Sequence, residues 1–420
     1  MLDLQKIKDL AREYTKKEGN PFYRKLYGLR AEQAYLDIKS IDGWHALPPL
    51  RKQDMIDVPF NQRLFVPPQE LQTISVTSGT TGGPPLFQPR SYQGTPLENL
   101  TLPYGEIRGA WLAGILQYPH EHEWSLAALK RSVTVVQFDP QHIRESLQLA
   151  ILAGTEVIIA QTYFVSAMCD AAEESGLAGR IKLVIAAGEA WTRSEFLRVQ
   201  SVFKNAPILC NYGIREAGTV AHTGTLNEEY NVVYRPKPHV YLEMIDTDTG
   251  VPVPVTPGAE GELLITTTLG TPSAFPLLRY RVGDLIRIES VSNENGGNFT
   301  FKLIGRADQD LVKFPGGVLR VDELIRVVES LSGKMTDQFE AHCHEEDTSE
   351  GPKKRMVMHV EPQSGATLSD IARDFAGELH MGPSSTYADG VKKSMYLPLS
   401  CVLLEKGAGT KKRKRIVKHW

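Results

Sequence analysis

The chain has 420 residues, 41% hydrophobic and 23% charged, which suggests two or three domains and a core able to stand alone. Its formal net charge of −3 gives no electrostatic case for general nucleic-acid binding, and no stretch approaches the ~20 apolar residues that span a bilayer. The start, Met1-Leu2-Asp3-Leu4-Gln5-Lys6, lacks the apolar core of a signal peptide, and Cys169, Cys210, Cys343 and Cys401 have no zinc or disulfide spacing, so a reduced cytoplasmic protein is expected.

The first seventy residues predict short amphipathic helices broken by Pro21, Pro48, Pro49 and Pro59. The alternation of Leu71 to Val76 then opens into Ser75-Val76-Thr77-Ser78-Gly79-Thr80-Thr81-Gly82-Gly83-Pro84-Pro85. Glycines let a backbone approach an anion closely, and successive N–H groups with hydroxyls can wrap phosphate oxygens. The Gly-Lys-Ser/Thr ending of a Walker A loop is missing, and a plain Ser/Thr/Gly turn is the alternative reading.

From about Ser132 strands and helices alternate: Val133 to Phe138 extended, His142 to Leu152 helical, Val157 to Ala160 extended, Ser166 to Ser175 helical. Ile181 to Ala187 is a further strand, Ser194 to Phe203 a helix and Pro207 to Cys210 a strand. This order predicts an α/β sheet with ligands at the strands' carboxyl ends, where Gly188-Glu189 and Tyr212-Gly213 fall just after strands. Tyr241–Ile245, Glu262–Thr267, Leu285–Ile288 and Phe299–Leu303 read as strands of a β-rich subdomain.

After Gly305-Arg306-Ala307-Asp308 a small α+β unit is predicted: a hairpin over Leu311 to Leu319, helices over Asp322 to Ser330 and Leu368 to Leu379, and strands near Asp337–His342, Met356–Glu361 and Tyr396–Leu404. The expected division is 1–307 and 308–420, with a mobile boundary at Asp308. Alternation puts His342 and His344 on one strand face without further obvious ligands, so no metal site is read there. The tail Lys411-Lys412-Arg413-Lys414-Arg415 is a low-complexity basic run.

Downstream of the hydroxyl loop come Ala187-Gly188-Glu189-Ala190-Trp191-Thr192, Asn211-Tyr212-Gly213-Ile214-Arg215-Glu216, Tyr280-Arg281-Val282-Gly283-Asp284 and Gly305-Arg306-Ala307-Asp308-Gln309-Asp310. In this order the motifs resemble the adenylate-forming superfamily. Within it, Asn20-Pro21-Phe22-Tyr23-Arg24-Lys25, Leu47-Pro48-Pro49-Leu50-Arg51-Lys52-Gln53-Asp54 and the Gly-Glu-Ala-Trp-Thr run resemble the phenylacetate–CoA ligase family. The resemblance covers essentially the whole chain. It implies an α/β fold with a large N-terminal domain, a β-rich subdomain and a small mobile C-terminal domain.

It also implies activation of a carboxylic acid, aryl or arylacetic, by ATP and Mg²⁺, followed by transfer to coenzyme A. Thr77, Ser78, Gly79, Thr80, Thr81 and Gly82 would hold the departing phosphates, with Lys52 adding charge near them. Gly188, Glu189 and Ala190 would line the adenine, with Tyr212 stacking nearby between Asn211 and Gly213. Glu216 would bind Mg²⁺, Asp284 the ribose hydroxyls, and Arg306 ribose or phosphate. Trp111, Ala113, Ile185, Ala217 and Gly218 would face the acyl group, and Lys412, with Lys411 the alternative, would bridge carboxylate and α-phosphate.

The sequence departs from the family pattern in several places. Arg215 replaces a threonine, and it could meet the α-phosphate bidentately but needs more room. Gly83-Pro84-Pro85 stands where a lysine is common, and Pro315-Gly316 and Val321 replace an Arg-Gly and a proline. The acceptor therefore stays open to an amine, a hydroxyl or a carrier-protein thiol, and a non-catalytic nucleotide-binding homologue is a further reading. The expected partners are a small acid and its acceptor, neither nucleic acid nor membrane, with a homodimer left open.

Overall fold

Buried apolar side chains at every position of Val157 to Ala160, Leu183 to Ala186 and Ile208 to Cys210 leave three strands without a solvent face, as in the interior of a parallel sheet. The computed structural model describes residues 4–71, 73–76, 86–90, 110–114, 134–138, 142–187, 193–204, 206–223, 232–238, 240–268, 274–292, 298–307, 311–315, 317–349, 351–382, 385–404 and 415–419. Among them no helix is long and apolar enough to cross a membrane. The chain divides into two compact units, one of Met1–Gly188, Phe203–Val282 and Ile286–Lys302, the other of Glu189–Val202, Gly283–Leu285 and Leu303–Trp420.

The chain opens with four helices, α1 (Leu4–Thr15), α2 (Phe22–Leu26), α3 (Ile41–His45) and α4 (Lys52–Ile56). A short hairpin follows, β1 (Thr73–Val76) with β2 (Phe87–Arg90). Then β3 (Ala110–Gly114), β4 (Thr134–Phe138), β5 (Thr155–Gln161), β6 (Leu183–Ala187) and β7 (Ile208–Ile214) run parallel, with α5 (Ile143–Leu152) and α6 (Thr162–Glu174) between successive strands. The antiparallel β8 (Gly218–Thr223) and β9 (Tyr234–Pro236), with β10 (Val240–Ile245), β11 (Glu260–Thr267), β12 (Tyr280–Ser292) and β13 (Asn298–Arg306), extend the same sheet. Its order is β10-β11-β12-β13-β9-β8-β7-β6-β5-β3-β4. Parallel strands with intervening helices, extended by antiparallel strands, give the expected α/β class.

Two expectations are corrected. Tyr212 and Gly213 lie inside β7 rather than after it, because Tyr212 pairs with Ala221 and Gly213 with Thr219 of β8. The strand expected over Leu285–Ile288 runs from Tyr280 to Ser292, 13 residues, and so includes Asp284. The strands β8 and β9, short or poor in alternation, were not legible in the sequence.

The first unit's N-terminal motif is a clamp. Phe22, Tyr23 and Phe275 stack and meet edge-on at 5.0–5.9 Å. The Tyr23 hydroxyl donates to the Pro276 carbonyl at 2.7 Å and accepts from Leu278 N at 3.1 Å. Arg24 donates to the carbonyls of Thr15, Ala34, Arg30 and Gln33. Asn20 donates to those of Gln62 and Leu64. Asp54 accepts from Arg51 N at 2.7 Å and so caps α4.

Below this clamp sits an ion pair. Arg279 (1% exposed) donates its Nε to Glu243 Oε1 (6% exposed) at 3.2 Å, and its Nη1 donates to His45 O at 2.9 Å and to Leu47 O. Trp44 Nε1 donates to the other carboxylate oxygen at 2.9 Å. Arg279 adopts φ +50°, a left-handed conformation that costs a non-glycine residue about 1–3 kcal/mol and persists only when its surroundings enforce it.

The second unit contains α7 (Arg193–Val202), the hairpin β14 (Leu311–Phe314) with β15 (Gly317–Arg320), and α8 (Val321–Ser330). Its sheet is a long antiparallel pair, β16 (Met335–Thr348) and β17 (Gly351–Pro362). The remaining elements are α9 (Leu368–Glu378), β18 (His380–Gly382), β19 (Ser385–Thr386), α10 (Tyr387–Lys392), β20 (Ser400–Leu403) and β21 (Ile416–His419). The sheet order is β20-β17-β16-β21, with both outer strands parallel to their neighbours. Ala341, Cys343, Met356, Met358 and Val360 turn inward to Leu324, Val327, Ile371 and Phe375.

Removing one partner of a buried ion pair strands the other charge, at about 3–5 kcal/mol. Glu243→Ala is therefore expected to lose about that much stability in urea unfolding followed by tryptophan fluorescence. A loss below about 1 kcal/mol would show that the pair does not hold Trp44 and Arg279 in place.

Candidate active site

In the first unit the site grows out of the β7–β8 hairpin. Gly218 takes φ +74°, so the turn after Ile214 suits a glycine there. A Cβ on Gly213 would stand 2.8 Å from the Gly218 carbonyl oxygen, so the two strands approach closely only because Gly213 has no side chain. The Asn211 amide donates to Thr219 Oγ1 at 3.0 Å, and the Cys210 N–H to Thr223 Oγ1 at 2.9 Å. The turn between the strands presents Arg215, half-buried, and Glu216 and Ala217, both buried.

Glu216 is 8% exposed. One of its carboxylate oxygens, Oε1, accepts from the Tyr280 hydroxyl at 2.9 Å, and its backbone carbonyl accepts from the buried Gln88 amide at 3.1 Å. A carboxylate taken from water needs such donors, and these two fix both its side chain and its backbone. The next residue, Arg281, grips Glu262 with Nε at 2.7 Å and Nη2 at 2.6 Å. Leu50 hydrogen-bonds on either side of Tyr280, accepting from Arg281 N at 2.9 Å and donating to Arg279 O at 3.1 Å. Lys52 follows two residues on, half-buried at the start of α4.

The sheet register aligns Ala113 with Ile159, Ile159 with Ile185, and Ile185 with Leu209, while Trp111 pairs with Val157. Of the expected acyl-pocket positions, Ile185 thus shares a row with Ala113. Tyr212 is buried, its ring edge-on to Tyr234 at 5.9 Å and to Phe301 at 6.1 Å.

In the second unit, Arg306 Nη1 donates to Asp284 Oδ1 at 2.9 Å, with side-chain exposures of 35% and 11%. The Ala307 N–H donates to the Gly283 carbonyl at 2.7 Å, which ties the two motif segments together beside that pair. Thr77, Ser78, Gly79, Thr80, Thr81, Gly82, Gly188, Glu189, Ala190, Asp308, Lys411 and Lys412 lie outside the described residues.

Among the described residues, then, one group of expected site residues assembles on the β7–β8 turn and a second, Asp284 with Arg306, on the strands of the other motifs. Sequence reasoning missed Gln88 and gave Tyr280 no role, although Tyr280 was in plain view as the first residue of Tyr-Arg-Val-Gly-Asp. Burial pushes the thiols of Cys210, Cys343 and Cys401 up to about 12, so none of them supplies a thiolate near neutral pH.

Solved structures of similar fold are adenylate-forming ligases. A 2-hydroxyisobutyryl-CoA ligase in the postadenylation state with 2-HIB-AMP matches 99% of this chain and 88% of its own, at 18% identity and a TM-score of 0.73. ATP-bound MatB from Rhodopseudomonas palustris matches 84% and 68% at 16% identity and a TM-score of 0.59. The amide bond synthetase McbA from Marinactinospora thermotolerans matches 80% and 66% at 16% identity and a TM-score of 0.55. No curated protein sequence matches the chain. The sequence pattern of the AMP-binding enzymes matches residues 29–271, more than half of the chain, and this protein belongs to the AMP-binding enzyme family.

Proposed function

We propose that this protein uses ATP to activate a carboxylic acid, aryl or arylacetic, and passes the acyl group to coenzyme A, as a phenylacetate–CoA ligase does. A carboxylate oxygen attacks the α-phosphorus, the bond to the bridging oxygen breaks, and pyrophosphate leaves. The sulfur of the thiol then attacks the acyl carbon, AMP departs, and the thiol proton is released. Both reactants of the first step are anions, so the protein must neutralise and align them.

The observation that carries the reading is Glu216, a buried carboxylate oriented by Tyr280 on the hairpin turn of the family's own motif. A magnesium ion prefers carboxylate and phosphate oxygens, which Glu216 fits, and when bound it offsets phosphate charge. Thr77 to Gly82 would hold the departing phosphates, with Arg215 near the α-phosphate and Lys52 adding positive charge. Asp284 would accept from the ribose hydroxyls with Arg306 beside it. Lys412 would reach the reacting oxygens from a C-terminal domain, 308–420, that turns about Asp308. Family membership and a fold shared with a CoA ligase support the reading.

An amine acceptor is the second reading, favoured by Pro315 and Val321 in place of the family's residues and by fold similarity to an amide bond synthetase. Acid-dependent ATP–pyrophosphate exchange, run across benzoates, hydroxy- and aminobenzoates, phenylacetates and fatty acids, tests the first half-reaction. The expected outcome is exchange with an aryl acid that CoA converts to thioester. Exchange without thioester would select the other acceptor, and ATP binding without any exchange a non-catalytic homologue.

Lys412→Ala should abolish exchange while leaving ATP affinity intact; exchange retained there and lost in Lys411→Ala would move the role by one residue. Tyr280→Phe removes one hydrogen bond to a buried carboxylate, about 1–3 kcal/mol. Exchange should fall roughly ten- to hundredfold, and an unchanged rate would show that Tyr280 does not orient Glu216 for the reaction.

A further inference from the structure

The two faces of the second unit's sheet differ in kind. Along β16 the inward residues Ala341 and Cys343 alternate with Glu340, His342 and His344, which point to the opposite face. Register adds more donors to that second face: His359 of β17 lies opposite Glu340, and His419 of β21 lies opposite His344. Four of the chain's 11 histidines thus gather on three adjacent strands, so histidines elsewhere can serve as controls.

Their geometry is specific. His342 Nε2 is 3.0 Å from Glu340 Oε2, and one donor atom from each of Glu340, His342 and His359 lies within 4.8 Å of the others. The other nitrogen of His342, Nδ1, is 2.8 Å from His419 Nε2. The His419 ring stacks on His344 at 4.3 Å and 2°, and His342 stacks on His359 at 3.8 Å and 19°. Nearby, the Arg355 guanidinium is engaged by Glu346 at 3.2 Å, so its charge is partly compensated.

We propose that Glu340, His342 and His359 form a site for one divalent transition-metal cation of the zinc class. Two imidazoles and a carboxylate suit such a borderline ion, whereas the magnesium of ATP chemistry seeks oxygen ligands alone. At metal–ligand distances of about 2.0–2.1 Å, tetrahedral donors stand about 3.4 Å apart. The His342–Glu340 pair is already within that separation, and His359 offers a donor atom within 4.8 Å of both. With its Nε2 on the metal, His342 would carry its proton on Nδ1, 2.8 Å from His419 Nε2, which would then accept it as an outer partner of a metal ligand does. Three protein ligands leave the fourth position to water. The site lies wholly in the second unit and does not depend on the adenylation reading.

The test uses the full chain with any affinity tag removed, stripped with EDTA and dialysed into metal-free buffer. Cobalt is titrated with absorption detection, and zinc by calorimetry. The expected result is one equivalent bound in the micromolar range or tighter, a tetrahedral cobalt spectrum, and a melting temperature raised by zinc and restored by EDTA. His342→Ala and His359→Ala should each weaken binding about a hundredfold, and His419→Ala about tenfold. Glu340→Gln, nearly isosteric, keeps the test valid should a histidine variant fail to fold, and it should weaken binding about tenfold or more. His380→Ala, which removes a histidine paired instead with Glu323, should leave it unchanged. No saturable binding by the stripped protein, or binding that all four cluster variants leave unaltered, would overturn the proposal.

Discussion

Three buried carboxylates in the first unit are satisfied by three consecutive residues. Arg279 pairs with Glu243, Tyr280 donates to Glu216, and Arg281 grips Glu262. Each carboxylate is at most 8% exposed, and an unpaired ion at such burial carries a desolvation penalty of several kcal/mol. These pairings tie down residues 279–281 at the start of β12. The left-handed backbone of Arg279 is held by that constraint, since its guanidinium must reach Glu243 and two carbonyls of the N-terminal segment together.

Through this trio the N-terminal helices bear on the placement of Glu216. Trp44 and His45 meet Glu243 and Arg279, while Leu50 bonds to the backbone on both sides of Tyr280. The Asn-Pro-Phe-Tyr-Arg segment is likewise structural: its aromatics stack with Phe275 and its arginine gathers four carbonyls. Residues that make a sequence resemble a family need not touch substrate. These set the position of a strand whose first residue, Tyr280, holds the buried carboxylate of Glu216.

Much of the α/β alternation was legible because buried parallel strands are continuous apolar runs and the intervening helices keep their own period. The parts that eluded the sequence were short or paired by register. β8 has little alternation of its own and exists through pairing with β7, which also lengthens β7 past Cys210 to Ile214. Glu216 stands out in the sequence by its motif, but its donors Tyr280 and Gln88 lie 64 and 128 residues away, a separation no local pattern spans.

The histidine face marks the same boundary more sharply. Period-two alternation in β16 puts His342 and His344 on one side, and that much follows from the sequence. Their companions do not: His359 arrives by the antiparallel register of β17, and His419 by parallel pairing of a strand that emerges from a basic tail. The sequence by itself determined the AMP-binding family, much of the strand–helix order and which side chains share a strand face, because these depend on local spacing. Only the tertiary structure decided which carboxylate meets which donor and which histidines converge, because strand register and buried pairing are set by contacts between residues distant along the chain.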